Sequence, residues 1–386
     1  MDFKGIKVLI LEGYARQAVP FSKAFRKLGC HVTVLCNSKG DVAYWSKYPN
    51  KKIIGVCNPQ RYEESSLCIC DLIKNDNFDL VVPLVDFSAR ILSENLTELS
   101  KHSKIATVDF SIFEKASDKL FVMETCHKNG IPCPTTVLNA SSMQDIRESN
   151  LMFPLVVKPR NGYGARDFHI FDNIEELDLF FSNEHMINNY VIQECVPQTD
   201  SNIAISIFLD RNSNLKASYS YRSRRWYPLK GGTGTLNELV DRPLDVEMCV
   251  KLAKILNLTG LIGFDLIEDK RDGMTKIIEI NPRSLACSTI GFYGGINQAK
   301  LILQNELTDF VEEQQVIKKR IGSFVRMSQI DFLWFLKSPN RWKAKPSWFN
   351  VFVTRDQLFS WADPLPWFAF LFQGLRKYKK DERRKA

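Results

Sequence analysis

Asp265, Glu279, Asn281 and Arg283 have the side-chain types and spacing of a site that handles phosphate with a hard metal ion. They lie in GLIGFDLIEDKRDGMTKIIEINPR, residues 260–283. Residues 261–268 form an apolar run, residues 269–273 carry turn chemistry, and residues 275–280 form a second apolar run ending at Asn281-Pro282, so the stretch reads as a hairpin. Side chains alternate along a strand. Glu279 and Asn281 therefore share a face, and Asp265 on the partner strand reaches the same space. Magnesium keeps several waters and takes a few carboxylate or amide oxygens together with substrate phosphates, so three such oxygens suit a nucleotide-bound magnesium, or manganese, better than a soft metal. Arg283 adds a planar cation for a phosphoryl or carboxylate group. The competing interpretation is a hairpin with a charged, solvated face.

The hairpin resembles the metal-binding end of the ATP-grasp ligases, in the branch related to carbamoyl-phosphate synthase and biotin carboxylase. The resemblance covers residues 1 to about 310 and continues upstream in the same order. Lys119 follows Lys115-Ala-Ser-Asp and opens a helical stripe, LFVMETCHKNG, which Ser117 or Asp118 caps and Gly130 ends. A cation beside the free N–H groups of a helix start favours phosphate. Lys158 stands in FPLVVKPRNGYGARD, where Gly162 and Gly164 let backbone approach a phosphate. No GxxxxGK[ST] loop and no complete dinucleotide fingerprint occurs. In the resembled family Lys158 would touch the nucleotide and the glycine turn would fold over its phosphates. YVIQECVPQTD, residues 190–200, resembles the hinge that holds adenine, with backbone groups of Glu194, Cys195 and Val196 on the base and Asp200 on the ribose; Ser201 or Asn202 remains open for that last place. In YSYRSRRWYPLKGGTGT, residues 219–235, Arg222 and Arg224 share a strand face and Arg225 takes the other. A loop here closes on the active site in the family, so one of these arginines, Arg224 first, or Lys230 is expected on the phosphate or the acidic substrate.

These residues need a scaffold of more than one lobe. The chain has 386 residues, 45% hydrophobic and 25% charged, which fits a multidomain globular protein. KVLILEG, an amphipathic segment and HVTVLC make a strand–helix–strand unit, which implies a parallel sheet. Taken with the resemblance, which implies the ATP-grasp part, the fold class expected is mixed α/β and α+β: a Rossmann-like lobe over residues 1–112, an ATP-grasp domain over 113–317 with its lid at about 130–195, and an aromatic-rich extension over 318–386. Asp86 follows a strand and is read first as a helix cap, second as a substrate contact. Ten cysteines lie without a CxxC pair, which reads as reduced thiols in a cytoplasmic protein. No apolar run approaches a bilayer's thickness.

Residues 376–386, RKYKKDERRKA, carry seven basic and two acidic groups, +5 of the chain's +8, directly after DPLPWFAFLFQGL. Packing of residues 367–371 on the body is preferred over contact with an anionic membrane or docking on a partner, because two prolines and a glycine are expected to break a long amphipathic helix. The function expected is an ATP-dependent carboxylate–amine ligase working through an acyl phosphate, with Arg283, Lys158 and Arg224 in catalysis and small-molecule carboxylate and amine substrates. A carboxyphosphate- or carbamoyl-forming enzyme is the nearest alternative. A nucleotide- or nucleic-acid-binding module without turnover is the alternative of another class; nucleic acid is not expected, and a homodimer stays open.

Overall fold

Val8, Leu9, Ile10 and the run from Val32 to Cys36 are almost wholly buried, the mark of strands covered on both faces. The computed structural model describes residues 2–162, 167–182, 185–229, 232–350 and 353–383, the side chains of 200, 201 and 375–383 excepted. In it β1 (Lys7–Ile10), β2 (His31–Cys36), β3 (Lys51–Ile54), β4 (Leu80–Val82) and β5 (Lys104–Ile105) pair in parallel in the order β3-β2-β1-β4-β5. The order reverses between β1 and β4, where a crevice opens beyond the strands' carboxyl ends. Helix Ala18–Lys27 buries Phe21 and Phe25, one turn apart, against the sheet. Helix Asp86–Glu94 begins just past β4.

Three strands, β6 (Leu155–Pro159), β7 (His169–Phe171) and β8 (Tyr190–Glu194), make a small antiparallel sheet in the order β7-β6-β8. The largest sheet is built from β9 (Gln198–Leu209), β10 (Leu215–Tyr227), β11 (Thr233–Val240), β12 (Gly260–Asp269), β13 (Thr275–Asn281), β14 (Phe324–Arg326) and β15 (Thr354–Asp356), in the order β13-β12-β9-β10-β11-β14-β15. The expected hairpin is β12 and β13, turning through Gly273 at φ +72°, which a residue with a side chain rarely adopts. One face of this sheet buries Ile203, Ile205, Phe264, Leu266, Ile277 and Ile280 under helices Lys119–Lys128 and Pro243–Ile255. The other face shares a continuous core with the parallel-sheet lobe, in which Phe21, Val32, Phe208, Tyr219 and Tyr221 belong together. The stretch after residue 317 supplies β14 and β15 to the same sheet.

The tail departs from what the sequence predicts. A 19-residue helix runs from Leu365 to Arg383 through two of the three supposed breakers, Pro366 and Gly374, with Pro364 just ahead of it. Pro366 stands in the first turn, where its missing N–H would have had no intrahelical partner, and Gly374 costs only part of its helix propensity. The preferred packing is nevertheless present. Trp367 donates from Nε1 to Ser328 Oγ at 2.8 Å, and Trp367 and Phe370 lie against Val19, Val42, Met327 and Leu358.

Candidate functional site

β13 ends in Glu279-Ile280-Asn281, and the local backbone decides what these residues meet. Asp265 stands opposite Glu279, yet Leu266 stands opposite Ile277, so Ile278 is an extra residue in a β-bulge. The bulge lets both Ile277 and Ile280 enter the core and leaves Lys276, Glu279 and Asn281 on the opposite face. It also frees the Ile278 carbonyl, which accepts from Lys158 Nζ at 3.2 Å. Lys119 Nζ lies 3.5 Å from Glu279 Oε1 and donates to the Gly162 carbonyl at 3.0 Å. Asp118 caps that helix, its Oδ1 accepting from Leu120 N and Phe121 N. Asp118 thus takes two of the helix's free donors while Lys119 projects to the carboxylate.

The electrostatics of the cluster follow from burial. Desolvation, then the facing Glu279, raises the Asp265 carboxyl to about 6, against the opposing hydrogen bond from Asn281 Nδ2 at 2.9 Å. Desolvation also lowers the Lys158 ammonium to about 8, although Glu279 and Asp265 favour its charge. Arg283 makes a two-pronged ion pair with Asp86, Nε to Oδ1 at 3.1 Å and Nη2 to Oδ2 at 2.7 Å, and also donates to Asn281 Oδ1 at 2.7 Å. Asp86 accepts no capping hydrogen bond, so the cap preferred from sequence is corrected: its carboxylate faces a guanidinium from another lobe.

Lys119, Lys158, Gly162, Asp265, Glu279, Asn281 and Arg283 are therefore brought together. Gly164, Lys230 and the Asp200 and Ser201 side chains lie outside the described residues. At the hinge, Glu194 N donates to Thr135 O and Cys195 N to Pro154 O, so of the backbone groups expected on the base these two N–H groups are already paired. Among the described residues the Val196 N–H has no backbone acceptor. Arg224 is spent on Glu238, Nε to Oε2 at 2.6 Å, and Arg222 lies 3.6 Å from Glu268; neither joins the cluster. Arg224, expected in catalysis, is thus placed on Glu238 and apart from the cluster.

Sequence reasoning missed a second polar cluster under the hinge. The Glu194 side chain accepts from Thr135 N at 3.0 Å, Lys276 Nζ at 3.0 Å and Arg271 Nη2 at 2.7 Å, and Lys276 and Arg271 also pair with the wholly buried Asp269. Burial pushes the Glu194 carboxyl up, but these donors outweigh it and hold it at about 2. Strict alternation would put Lys276 on the face away from Glu279, so only the bulge could have revealed it.

The smaller sheet meets the large antiparallel sheet at this cluster, where Lys158 of β6 donates to the Ile278 carbonyl of β13. Residues 116–287 match the family model described as an ATP-grasp domain, and the chain carries that domain. D-aspartate ligase of Enterococcus faecium is 25% identical over 255 residues, 60% of this chain and 60% of that one. Carbamoyl-phosphate synthase of Methanobrevibacter smithii is 24% identical over 225 residues, 54% of this chain and 58% of that one. The matches thus span less than two thirds of either relative. Among solved structures, the biotin carboxylase domain dimer of Hydrogenobacter thermophilus 2-oxoglutarate carboxylase, in complex with MgADP, ADP and bicarbonate, superposes with a TM-score of 0.66 at 16% identity, covering 82% of this chain and 73% of that one. An L-amino acid ligase from Bacillus licheniformis gives 0.62 at 19% identity, covering 79% and 75%. These two likenesses are of fold.

Proposed function

We propose that this chain is an ATP-dependent ligase that activates a carboxylate as an acyl phosphate and joins it to an amine, releasing ADP and phosphate. The observation that carries the proposal is the convergence of Lys119, Lys158 and Arg283 on the Asp265–Glu279 pair. A D-aspartate ligase and an L-amino acid ligase among the similar proteins support an amino acid as one substrate.

Two facing carboxylates, one of them raised to about 6 by burial and its neighbour, are a pair that a divalent cation would relieve. Among the described residues no three His, Cys, Asp or Glu side chains assemble as a cage. That fits magnesium, which takes one or two protein carboxylates and keeps water and phosphate oxygens. Asp265 and Glu279 would hold it, and the Asn281 oxygen, which already accepts from Arg283, keeps a second lone pair. Bound there, the ion would neutralise charge on the phosphoryl group during transfer. The chain's own residues do the rest. Lys119 and Lys158 place ammonium groups near Glu279, where phosphate oxygens would come, and need no reorganisation as charge develops. Arg283, fixed by Asp86 and Asn281, presents a preset planar donor to the organic acid. Gly162, whose carbonyl accepts from Lys119 Nζ at 3.0 Å, would begin the turn that closes over the phosphates and excludes water until the amine attacks.

The test is phosphate release that requires both a small carboxylate and an amine, screened with amino acids. Glu279→Gln is expected to lower that release at least about a hundredfold with the thermal midpoint unchanged, in line with loss of a preorganised electrostatic group. Undiminished release by Glu279→Gln would refute the site.

A further inference from the structure

The helix Leu365–Arg383 has two faces with different fates. Its inner face is fixed: Ala369 is buried, Gln329 Nε2 donates to the Trp367 carbonyl at 3.1 Å, and Gln373 Nε2 donates to the Gly40 carbonyl at 2.8 Å. The body therefore holds the helix in one orientation. The outer face carries Leu365, Phe368 and Phe372, spaced three and four residues apart and 50%, 45% and 59% exposed, with Trp361 just ahead of them at 91%. A row of large apolar side chains held rigidly outward is unusual on a soluble surface and marks an interaction site.

The charge beside that row says what covers it. The same helix runs on to Arg383, and residues 376–386 carry seven basic and two acidic groups. Lys39 flanks Gly40, where the helix is anchored, and Lys47 adjoins Ser46, which donates to Asp363 just ahead of the helix. Lys23 lies near Lys27, Lys47 and Arg355; burial first, then these like charges, lower its ammonium against the pull of Asp363. Among the described residues none of Lys23, Lys27, Lys39 and Lys47 takes part in an ion pair. A second apolar protein face would gain nothing from such unpaired positive charge, whereas an anionic lipid surface satisfies both halves: rings enter the headgroup boundary and cations meet phosphates. No helix among the described residues is long and apolar enough to cross a membrane, so the contact is one of lying on the surface.

We propose that this face of the protein, the row Trp361, Leu365, Phe368 and Phe372 with the basic residues around it, docks on an anionic phospholipid membrane. The ligase site would then work on substrates at, or delivered from, the lipid surface.

The experiment is flotation of the full chain with vesicles of phosphatidylcholine alone and with vesicles rich in phosphatidylglycerol. Binding about tenfold or more stronger to the anionic vesicles, reversed by salt, is expected. The double variant Phe368→Ser, Phe372→Ser should reduce that binding about tenfold or more, as should Lys377→Glu with Lys380→Glu, while melting temperature and phosphate release in solution stay at their original values. Absence of flotation with anionic vesicles would overturn the proposal, as would binding that both variants retain. Concentration-dependent self-association in sedimentation, abolished by the serine variants and unaccompanied by flotation, would assign the row to a second copy of the chain and equally overturn it. None of these outcomes bears on whether the ligase reading holds, because phosphate release is read separately.

Discussion

Glu12 is a carboxylic acid without water: its exposure is zero and its backbone sits at φ +57°. One oxygen accepts from Leu84 N at 3.0 Å, tying the end of β1 to the chain after β4. Burial is the largest cause that raises its carboxyl from 4.5 to about 7, with the Asp86 charge adding to it and the Ser88 and Leu84 hydrogen bonds opposing it. A raised folded-state value means that the folded protein holds this proton more tightly than the unfolded chain does. Its stabilising contribution is complete below pH 4.5 and is lost as the pH rises through about 7. Glu12→Gln, which keeps the acceptor for Leu84, should therefore be more stable than the parent above pH 7, by about 1–3 kcal/mol, and equal to it below pH 4.5. Denaturant melts across that range check this; a parallel offset at every pH would contradict it. In the sequence Glu12 reads only as the residue that cuts short the run IKVLIL, because nothing local shows that a carboxylate will be sealed beneath another strand. Glu279 and Asn281 were legible because alternation alone puts them on one face, whereas Asp265 joins them only through the bulge, which moves its cross-strand partner from Ile278 to Glu279. Lys276 was not, since a bulge changes the parity that such spacing relies on.

At the scale of elements, β10 and β14 are locked to helix Ser328–Lys337 by charge. Arg225 donates from Nε and Nη2 to Asp331 at 2.9 and 3.0 Å, Arg326 Nε lies 2.9 Å from the same carboxylate, and Thr235 Oγ1 donates to it at 2.8 Å. All four residues are buried, with Asp331 fully so, and the Trp334 and Trp348 rings stack on the two guanidiniums. Two cations share one anion, so removing the anion leaves both uncompensated in low dielectric. Asp331→Asn should cost about 3–5 kcal/mol in denaturant unfolding, with Arg225→Met costing less because the Arg326–Asp331 pair survives it. A loss under about 1 kcal/mol for Asp331→Asn would mean that water or another group already compensates these charges. The alternation that sent Arg225 to the face away from Arg222 and Arg224 was readable, but its partner a hundred residues on was not. The helix Leu365–Arg383 was misread for a different reason: proline was weighed as a breaker without regard to position, and in the first turn it breaks nothing.

The whole molecule is joined across its lobes by both apolar and polar contacts. Phe21 meets Phe292 edge-on at 5.1 Å within the core shared by the parallel and antiparallel sheets, which resists free hinging there. A polar chain runs through the same seam: Asp86 holds Arg283, Arg283 donates to Asn281 Oδ1, and Asn281 Nδ2 donates to Asp265. Each link fixes the next, so a residue on the first lobe sets the orientation of a carboxylate proposed to bind the metal. Asp86→Ala should release Arg283 and, through Asn281, loosen Asp265, without opening the apolar seam. The expected result is a rise of several fold to about tenfold in the magnesium concentration giving half-maximal phosphate release, together with a fall of about tenfold or more in kcat/KM for the carboxylate substrate. Asn281→Ala should raise the magnesium requirement similarly, and the double variant should add little, because both act on one chain of contacts. If Asp86→Ala alters thermal stability but leaves the magnesium dependence where it was, the ion pair fastens the lobes together without positioning the site.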